Sequence, residues 1–167
     1  MGEGFSLRCE NCDYQKSVYL GIGFAYPKIY EATVEEIKHG EFGEKLSTYF
    51  REHADAAVDP TIVLLRCPCC GEFTTGKKMT IFLPAMGYDH SKRQRNAWCS
   101  AMPCYDIDYV SPSELEDHYQ QTHIYKHRCR KCGIPMEMLS EEQLKGATLS
   151  CPKCRGNIII DQNIMWD

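Results

Sequence analysis

The chain contains 167 residues, of which 43% are hydrophobic and 25% charged, and its formal net charge is −4. This length allows one ordinary domain or two to three small ones, and the mildly acidic charge argues against general nucleic-acid binding, which usually requires a basic excess. No signal peptide is recognisable, and the apolar stretch at 18–26 is shorter than the roughly 20 residues that span a bilayer. These features predict a cytoplasmic protein without a membrane segment.

Cysteine is the exceptional residue, because the chain has eleven and ten of them fall into five close pairs. Thiols stay reduced in the cytosol, and an odd count fits a disulfide framework poorly, so the pairs predict metal binding. Four pairs have the C-x-x-C spacing of a zinc knuckle, whose tight turn directs two thiolates at one ion. We number these knuckles in chain order: 1 (Cys9/Cys12), 2 (Cys67/Cys70), 3 (Cys129/Cys132) and 4 (Cys151/Cys154).

The segment after knuckle 1 predicts a strand followed by helices. Residues 17–26 have the apolar content of a buried strand, which Pro27 would end. Thr33 and Glu36 have the spacing of a capping box, so we expect a helix to begin near Thr33. A second helical stretch extends to about His53 and places four apolar side chains on one face: Phe42, Leu46, Tyr49 and Phe50.

Strands are predicted on both sides of knuckle 2. Residues 61–65 form a strand that enters the knuckle, and residues 73–75 and 79–83 form a hairpin around Gly76-Lys77-Lys78. Together with knuckle 1, these elements predict a zinc ribbon with a helical insertion over residues 1–90.

Residues 91–127 contain a basic lead-in loop and then two cysteines and two histidines with the spacing C-x4-C-x13-H-x4-H. This spacing predicts a third zinc site. Its ligands would be Cys99, Cys104, His118 and His123, with His127 as a substitute for His123.

Other residues of this segment strengthen the pattern. Tyr109 and Leu115 stand at the aromatic and leucine positions that precede the first histidine, and in this respect the segment resembles the C2H2 zinc finger. Ser111 and Glu114 form a capping box with Pro112 at the first helical position, which predicts the start of the finger helix. The resemblance implies a ββα fold in which both histidines reach the ion from the helix.

Residues 128–167 predict a compact C-terminal zinc ribbon. The 18 residues between Cys132 and Cys151 match C-x2-C…C-x2-C zinc sites, so knuckles 3 and 4 are predicted to share one ion. Knuckles 1 and 2 then share another across 54 residues, and Cys69 is left over. Short elements are predicted around the knuckles: a helical turn at 139–144 and strands at 157–161 and 164–166.

The predicted fold is a small, zinc-stabilised α+β architecture in which two zinc ribbons flank a C2H2-like finger, with domains at 1–90, 91–127 and 128–167. Knuckle 1, the strand Leu20-Gly21-Ile22-Gly23-Phe24 and a returning Cys-Pro-x-Cys-Gly together resemble uncharacterised bacterial zinc-ribbon proteins. This resemblance implies a fold and no activity. Three sites with four protein ligands each leave no open coordination position, which is typical of structural zinc.

The first functional hypothesis is a non-enzymatic adaptor or regulatory module whose partner is another protein. The alternative is nucleic-acid binding, RNA more than DNA, through the basic lead-in loop and four basic residues of the C-terminal ribbon: Arg130, Lys131, Lys153 and Arg155. The acidic finger helix would be repelled by phosphates. An enzyme or redox switch is third, because Asp89-His90 with Asn96 is similar to part of the HNH nuclease motif and zinc-free cysteines are reactive.

Overall fold

The computed structural model describes residues 2–92, 107–146 and 148–166. The strands in this part of the chain are β1 (Gly2–Cys9), β2 (Gln15–Gly21), β3 (Ala57–Asp59), β4 (Ile62–Arg66), β5 (Phe73–Lys77), β6 (Thr80–Pro84), β7 (Tyr119–Ile124), β8 (Glu137–Met138), β9 (Leu149–Ser150) and β10 (Asn157–Trp166). The α-helices are α1 (Tyr26–Lys38), α2 (Glu44–Glu52), α3 (Pro112–His118) and α4 (Glu141–Gly146). Among the described residues, no helix has the length and apolar character needed to cross a membrane.

The chain divides into two compact units that interleave along the sequence. The cysteine unit combines Met1–Phe24, Thr61–Lys78 and Lys126–Asp167, and the helical unit combines Ala25–Pro60 and Met79–Tyr125. This division differs from the three consecutive domains predicted from the sequence. The difference arises because the first and last strands of the chain pair with each other, which brings both ends into one unit.

The cysteine unit contains two antiparallel sheets, with strand orders β2-β1-β10-β9 and β5-β4-β8. In the first sheet β1 pairs with β10 from Gly2↔Trp166 to Cys9↔Ile158, and a register shift lies between Gly4 and Phe5. Because the pairing is antiparallel, the end of β1 lies beside the start of β10. Knuckles 1 and 4, which adjoin these strand ends, therefore lie at the same end of the sheet.

Side-chain alternation along the strands builds the core of the cysteine unit. On β1, Phe5, Leu7 and Cys9 are buried and pack with apolar side chains of the neighbouring elements. On β4, Leu64 lies in this same core, whereas the adjacent Leu65 packs with residues around knuckles 2 and 3: Cys67, Cys129 and Met136. Each buried Leu or Phe contributes about 1.5–3 kcal/mol by removal from water.

The C-terminal elements also belong to this unit. The predicted helical turn is α4, and Ser140 caps it: its Oγ accepts from the backbone N–H of Gln143 at 3.2 Å, and its own N–H donates to Gln143 Oε1 at 2.9 Å. The two short strands predicted at 157–161 and 164–166 form one strand, β10, because β1 provides a pairing partner along its length.

The helical unit is built on a three-stranded sheet with the order β3-β6-β7. The predicted apolar face of α2 is present, since Leu46 and Phe50 are buried. Two aromatic side chains of this region contact the β7 side of the unit: Tyr49 lies 4.8 Å from the His123 ring, and Phe42 lies 5.3 Å from the Tyr125 ring.

The helix α3 begins where the sequence predicts. Ser111 Oγ accepts from the backbone N–H of Glu114 at 3.3 Å, and the Glu114 carboxylate accepts from the backbone N–H of Ser111 at 2.9 Å. Pro112 occupies the first turn, and Leu115 is buried on the inner face of the helix. The predicted capping box is therefore confirmed.

The start of α1 corrects the sequence prediction. The strand β2 ends at Gly21, a short 3₁₀ turn follows, and α1 begins at Tyr26 rather than near Thr33. Pro27 lies in the first turn, where its missing N–H costs nothing and its fixed φ suits the helix. Thr33 is a buried interior residue whose hydroxyl donates to the Ile29 carbonyl at 2.6 Å, so it caps nothing.

The hairpin predicted around Gly76-Lys77-Lys78 is wrong. β5 pairs with β4, whereas β6 pairs with β3 and β7 in the other unit. Between them Met79 has a φ of 53°, an unusual backbone for a non-glycine residue, and its side chain is fully buried. Burial of the Met79 side chain and the pairing of β5 and β6 with other strands stabilise this unusual backbone conformation.

Candidate metal centres

Knuckles 1 and 4 form the first cysteine cluster, which we call the outer site: Cys9, Cys12, Cys151 and Cys154. The strand pairing positions them, because β1 ends at Cys9 and β10 begins three residues after Cys154. Backbone hydrogen bonds close each turn, from Cys9 N–H to the Tyr14 carbonyl at 2.9 Å and from Cys151 N–H to the Gly156 carbonyl at 2.7 Å.

Knuckles 2 and 3 form the second cluster, the inner site: Cys67, Cys70, Cys129 and Cys132. The same principle operates here, since β4 leads into knuckle 2, β8 follows knuckle 3, and the two strands pair antiparallel at Leu65↔Met138. Gly71 and Gly133 follow the two knuckles with φ of 73° and 70°, a backbone that glycine adopts without strain.

The pairing of knuckles is therefore nested, 1 with 4 and 2 with 3. The consecutive pairing predicted from the sequence, 1 with 2 and 3 with 4, is wrong. Spacing along the chain does not decide the partners. The sheet register decides them, because an antiparallel strand pair places the knuckle after one strand beside the knuckle before the other.

The sulfur positions fit one tetrahedral ion in each cluster. Zinc–sulfur bonds of about 2.3 Å in a tetrahedron imply sulfur–sulfur distances of about 3.8 Å. In the outer site the Sγ atoms of Cys9 and Cys154 lie 3.4 Å apart and those of Cys12 and Cys151 lie 3.7 Å apart. The inner site has 3.3 Å for Cys67/Cys132 and 3.6 Å for Cys70/Cys129. A disulfide requires about 2.05 Å, so these cysteines are free thiols or thiolates.

Backbone N–H groups of the knuckles point at the sulfurs. In the outer site Asn11 N–H donates to Cys9 Sγ at 3.3 Å, and Lys153 N–H donates to Cys151 Sγ at 3.3 Å. In the inner site the backbone N–H of Cys70 lowers the pKa of the Cys67 thiol to about 6, against the opposing effect of burial. The backbone N–H of Cys132 likewise lowers the pKa of Cys129. Thiolate is the form that binds metal.

Each cluster is spanned by a lysine–carboxylate pair that sequence reasoning missed. Lys153 of knuckle 4 binds Asp13, which follows knuckle 1, and Lys131 of knuckle 3 binds Glu72 at 2.5 Å, which follows knuckle 2. The hydrogen bond with Glu72 raises the pKa of Lys131, and the nearby Cys70 and Cys129 sulfurs act in the same direction. The signal in the sequence is the lysine directly before the second cysteine of knuckles 3 and 4.

The third predicted site is only partly within the described residues, since Cys99 and Cys104 lie outside them. The two histidines do not share a helix as the finger resemblance implies. His118 is the last residue of α3, and His123 lies on β7, because residues 119–124 pair with β6 instead of continuing the helix. The C2H2 geometry is therefore corrected, and a third metal site stays a prediction.

These imidazoles have other contacts. The His118 ring stacks on Tyr88 with ring centroids 4.6 Å apart. Burial lowers the pKa of His123, whose Nδ1 lies 3.1 Å from the Thr122 hydroxyl. His127, the suggested substitute, hydrogen-bonds through Nε2 with the Lys77 carbonyl at 2.6 Å.

The residues similar to an HNH motif have separate partners. His90 Nδ1 hydrogen-bonds with the Tyr119 hydroxyl, and Asp89 accepts from the backbone N–H and hydroxyl of Ser91 at 3.1 and 2.6 Å. Both residues line an open cleft of about 570 Å³ in the helical unit. Asn96 lies outside the described residues.

The fold and its two four-cysteine clusters place the chain among small mixed α/β proteins with potential metal sites, compatible with zinc-ribbon features. A scan against protein-family models, a search of curated proteins and a search of solved structures each gave no match. The geometry of the clusters therefore carries the functional conclusion.

Proposed function

We propose that the protein binds one zinc ion at the outer site and one at the inner site, and that both ions are structural. The observation that carries this proposal is the convergence of four cysteine sulfurs, all within 4.8 Å of one another, in each of two clusters. Four thiolates in tetrahedral geometry suit zinc or iron, and zinc is the redox-inert choice for a structural role. Four protein ligands fill the coordination sphere and leave no position for a substrate.

The charges around the clusters support this proposal. A zinc ion with four thiolates is a dianion, which costs free energy unless cations compensate it. Lys153 and Lys131 lie beside the outer and inner thiolates, where they provide that compensation. Each ion would join strands that are far apart in sequence, and the unfolded chain has no preformed site. The binding free energy of about 10–16 kcal/mol would therefore contribute directly to the folding stability of the cysteine unit.

The proposed biological role is that of an adaptor or regulatory module that binds another protein. Apolar side chains near the inner site are partly exposed, namely Ile134 at 41% and Met138 at 47%. Two of the cations named in the RNA hypothesis, Lys131 and Lys153, are paired with carboxylates. This supports a protein partner over the alternative of RNA.

Native mass spectrometry tests the metal proposal on protein purified under reducing conditions without added metal. We expect two zinc ions for the two clusters, and a third would support the predicted site at Cys99, Cys104, His118 and His123. The matched variants are Cys70→Ser and Cys69→Ser. Cys69 is exposed and belongs to neither cluster, so only the first variant is expected to lose an ion. Wild-type protein without bound metal would contradict the proposal.

Affinity capture tests the role. The zinc-loaded chain and the double variant Ile134→Glu/Met138→Glu would be compared in a native lysate treated with ribonuclease. A stoichiometric protein that only the wild type retains would support the adaptor role. Enrichment of RNA in the untreated lysate, without a protein partner, would favour the alternative.

A further inference from the structure

Knuckle 2 of the inner site and knuckle 4 of the outer site lie close together. Gly71 follows knuckle 2 of the inner site, and Pro152 lies within knuckle 4 of the outer site. A Cβ atom at Gly71 would lie 3.5 Å from Pro152 Cα, 3.8 Å from Pro152 Cβ and 3.8 Å from the Ser150 carbonyl oxygen. A single carbon atom added at Gly71 would therefore be in van der Waals contact with knuckle 4, so the two turns lie close together.

The strands on either side of knuckle 2 also reach the apolar core of the outer site. Leu64 and Phe73, which lie on the strands on either side of knuckle 2, are fully buried in the same core cluster as Cys9 and Cys151 of the outer site. A hydrogen bond reinforces this link, from the Lys16 ammonium on β2 to the Phe73 carbonyl at 2.5 Å. Close-packed interiors transmit displacements, so a shift of one knuckle reaches the other.

We infer that metal occupancy of the two sites is positively coupled, through the close approach of Gly71 to Pro152 and the packing of Leu64 and Phe73 against the outer site. This inference rests on the proposed zinc binding. An ion at the outer site fixes knuckle 4, and Pro152 then supports the turn at Gly71 that orients Cys67 and Cys70. By linkage, an ion at the inner site strengthens the outer site by the same factor. Couplings of this kind are typically about 5- to 150-fold in affinity.

Gly133 provides a matched control for Gly71. Both glycines directly follow a C-x-x-C knuckle of the inner site, and both donate a hydrogen bond to the first cysteine of that knuckle, at 3.0 Å for Gly71 and 2.8 Å for Gly133. Their φ angles of 73° and 70° are nearly equal, so any side chain strains both positions alike. They differ in surroundings, because nothing lies within 4 Å of a Cβ at Gly133.

The experiment compares Gly71→Val with Gly133→Val in the zinc-loaded full chain. Each cysteine is followed by its rate of alkylation with N-ethylmaleimide during an EDTA challenge, resolved by peptide mass spectrometry. Both variants should speed alkylation at the inner site through backbone strain. Because loss of the inner ion weakens the outer site, both variants should also speed it at Cys9, Cys12, Cys151 and Cys154, by about 5- to 150-fold. Gly71→Asn and Gly133→Asn form a milder pair, since asparagine tolerates this backbone, if the valine variants do not fold.

Other outcomes overturn the inference. If Gly71→Val leaves the outer cysteines as protected as in the wild type, the sites are independent. If only Gly71→Val exposes the outer cysteines, the effect comes from the valine side chain beside Pro152 and not from loss of the inner ion, which overturns the inference. Failure of the zinc proposal itself gives a different result, because wild-type cysteines of both clusters would then react at the same rate with and without EDTA.

Discussion

Replacing Cys154 by serine separates the nested pairing of knuckles from the consecutive one. Cys154 is exposed, so the substitution removes a ligand with little loss of packing. In the nested arrangement its partners are Cys9, Cys12 and Cys151, and the variant should release the N-terminal strand β1 together with β10. In the consecutive arrangement, the loss of the ion would instead disturb knuckle 3 and leave β1 protected.

The expected effect is large. A structural four-ligand zinc site contributes about 10–16 kcal/mol of apparent binding free energy, whereas a whole domain is stable by only about 5–15 kcal/mol. Loss of the outer ion should therefore remove most protection from β1 and β10. The inner site should keep its ion and lose about 1–3 kcal/mol, the typical size of a coupling free energy.

Hydrogen exchange measured by mass spectrometry reports this directly. In Cys154→Ser the amides of Gly2–Cys9 should exchange far faster than in the wild type. The amides of Ile62–Arg66 should still exchange slowly, with only a modest loss of protection. Cys69→Ser is the control and should match the wild type. Unchanged protection of Gly2–Cys9 together with exposure of knuckle 3 would refute the nested assignment.

Three further outcomes follow from the packing and the charges. Ser111→Ala should destabilise the helical unit by about 1 kcal/mol through loss of the α3 cap, with Ser113→Ala as the control in thermal unfolding; equal stability of both would contradict the cap. Phe73→Ala should cost about 3–5 kcal/mol in denaturant unfolding, because Phe73 is fully buried, and a loss below 1 kcal/mol would place it outside the core. Acidification should release zinc from the inner site, because protons compete with the ion for the thiolates. In the metal-free protein, the backbone N–H of Cys70 lowers the pKa of Cys67 to about 6 from its usual 9.0, so the stability that this thiolate contributes above pH 9.0 is lost as the pH falls through about 6. A zinc-dye titration should show release that increases as the pH falls, and release that is independent of pH would contradict this.

Local chemistry was predictable from the sequence. The four knuckles, the capping box at Ser111 and the apolar face of α2 depend on residues a few positions apart, and the structure contains all three. Capping at Ser140 has the same local character. Spacings of two to four residues fix these contacts whatever the rest of the chain does.

The pairing of the knuckles was not predictable from spacing. Loop-closure entropy grows only with the logarithm of loop length, so the outer pairing across 139 residues costs about 2 kcal/mol more than closing the 18 residues between knuckles 3 and 4. The antiparallel contact between β1 and β10 offsets that difference. The usable signal was the alternation of Phe5, Leu7 and Cys9, which marks β1 as a strand with one buried face.

Two sequence predictions in the helical unit, the start of α1 and the helix shared by the finger histidines, were also wrong. Thr33 and Glu36 match a capping box in sequence, but Pro27 begins the helix one turn or more before them. The helix of the finger pattern begins where it was predicted. It ends at His118, however, because residues 119–124 pair with β6. In the first case another local signal starts the helix earlier, and in the second a tertiary contact overrides the local pattern.

The nested order of the knuckles also has a consequence for synthesis. Cys9 and Cys154 are separated by 145 positions, which a ribosome translates in about 7–29 s at 5–20 residues per second. During that interval knuckle 1 has emerged without its partner, and its two thiols are open to oxidation or to a competing metal. The outer site can therefore form only after translation delivers the last knuckle.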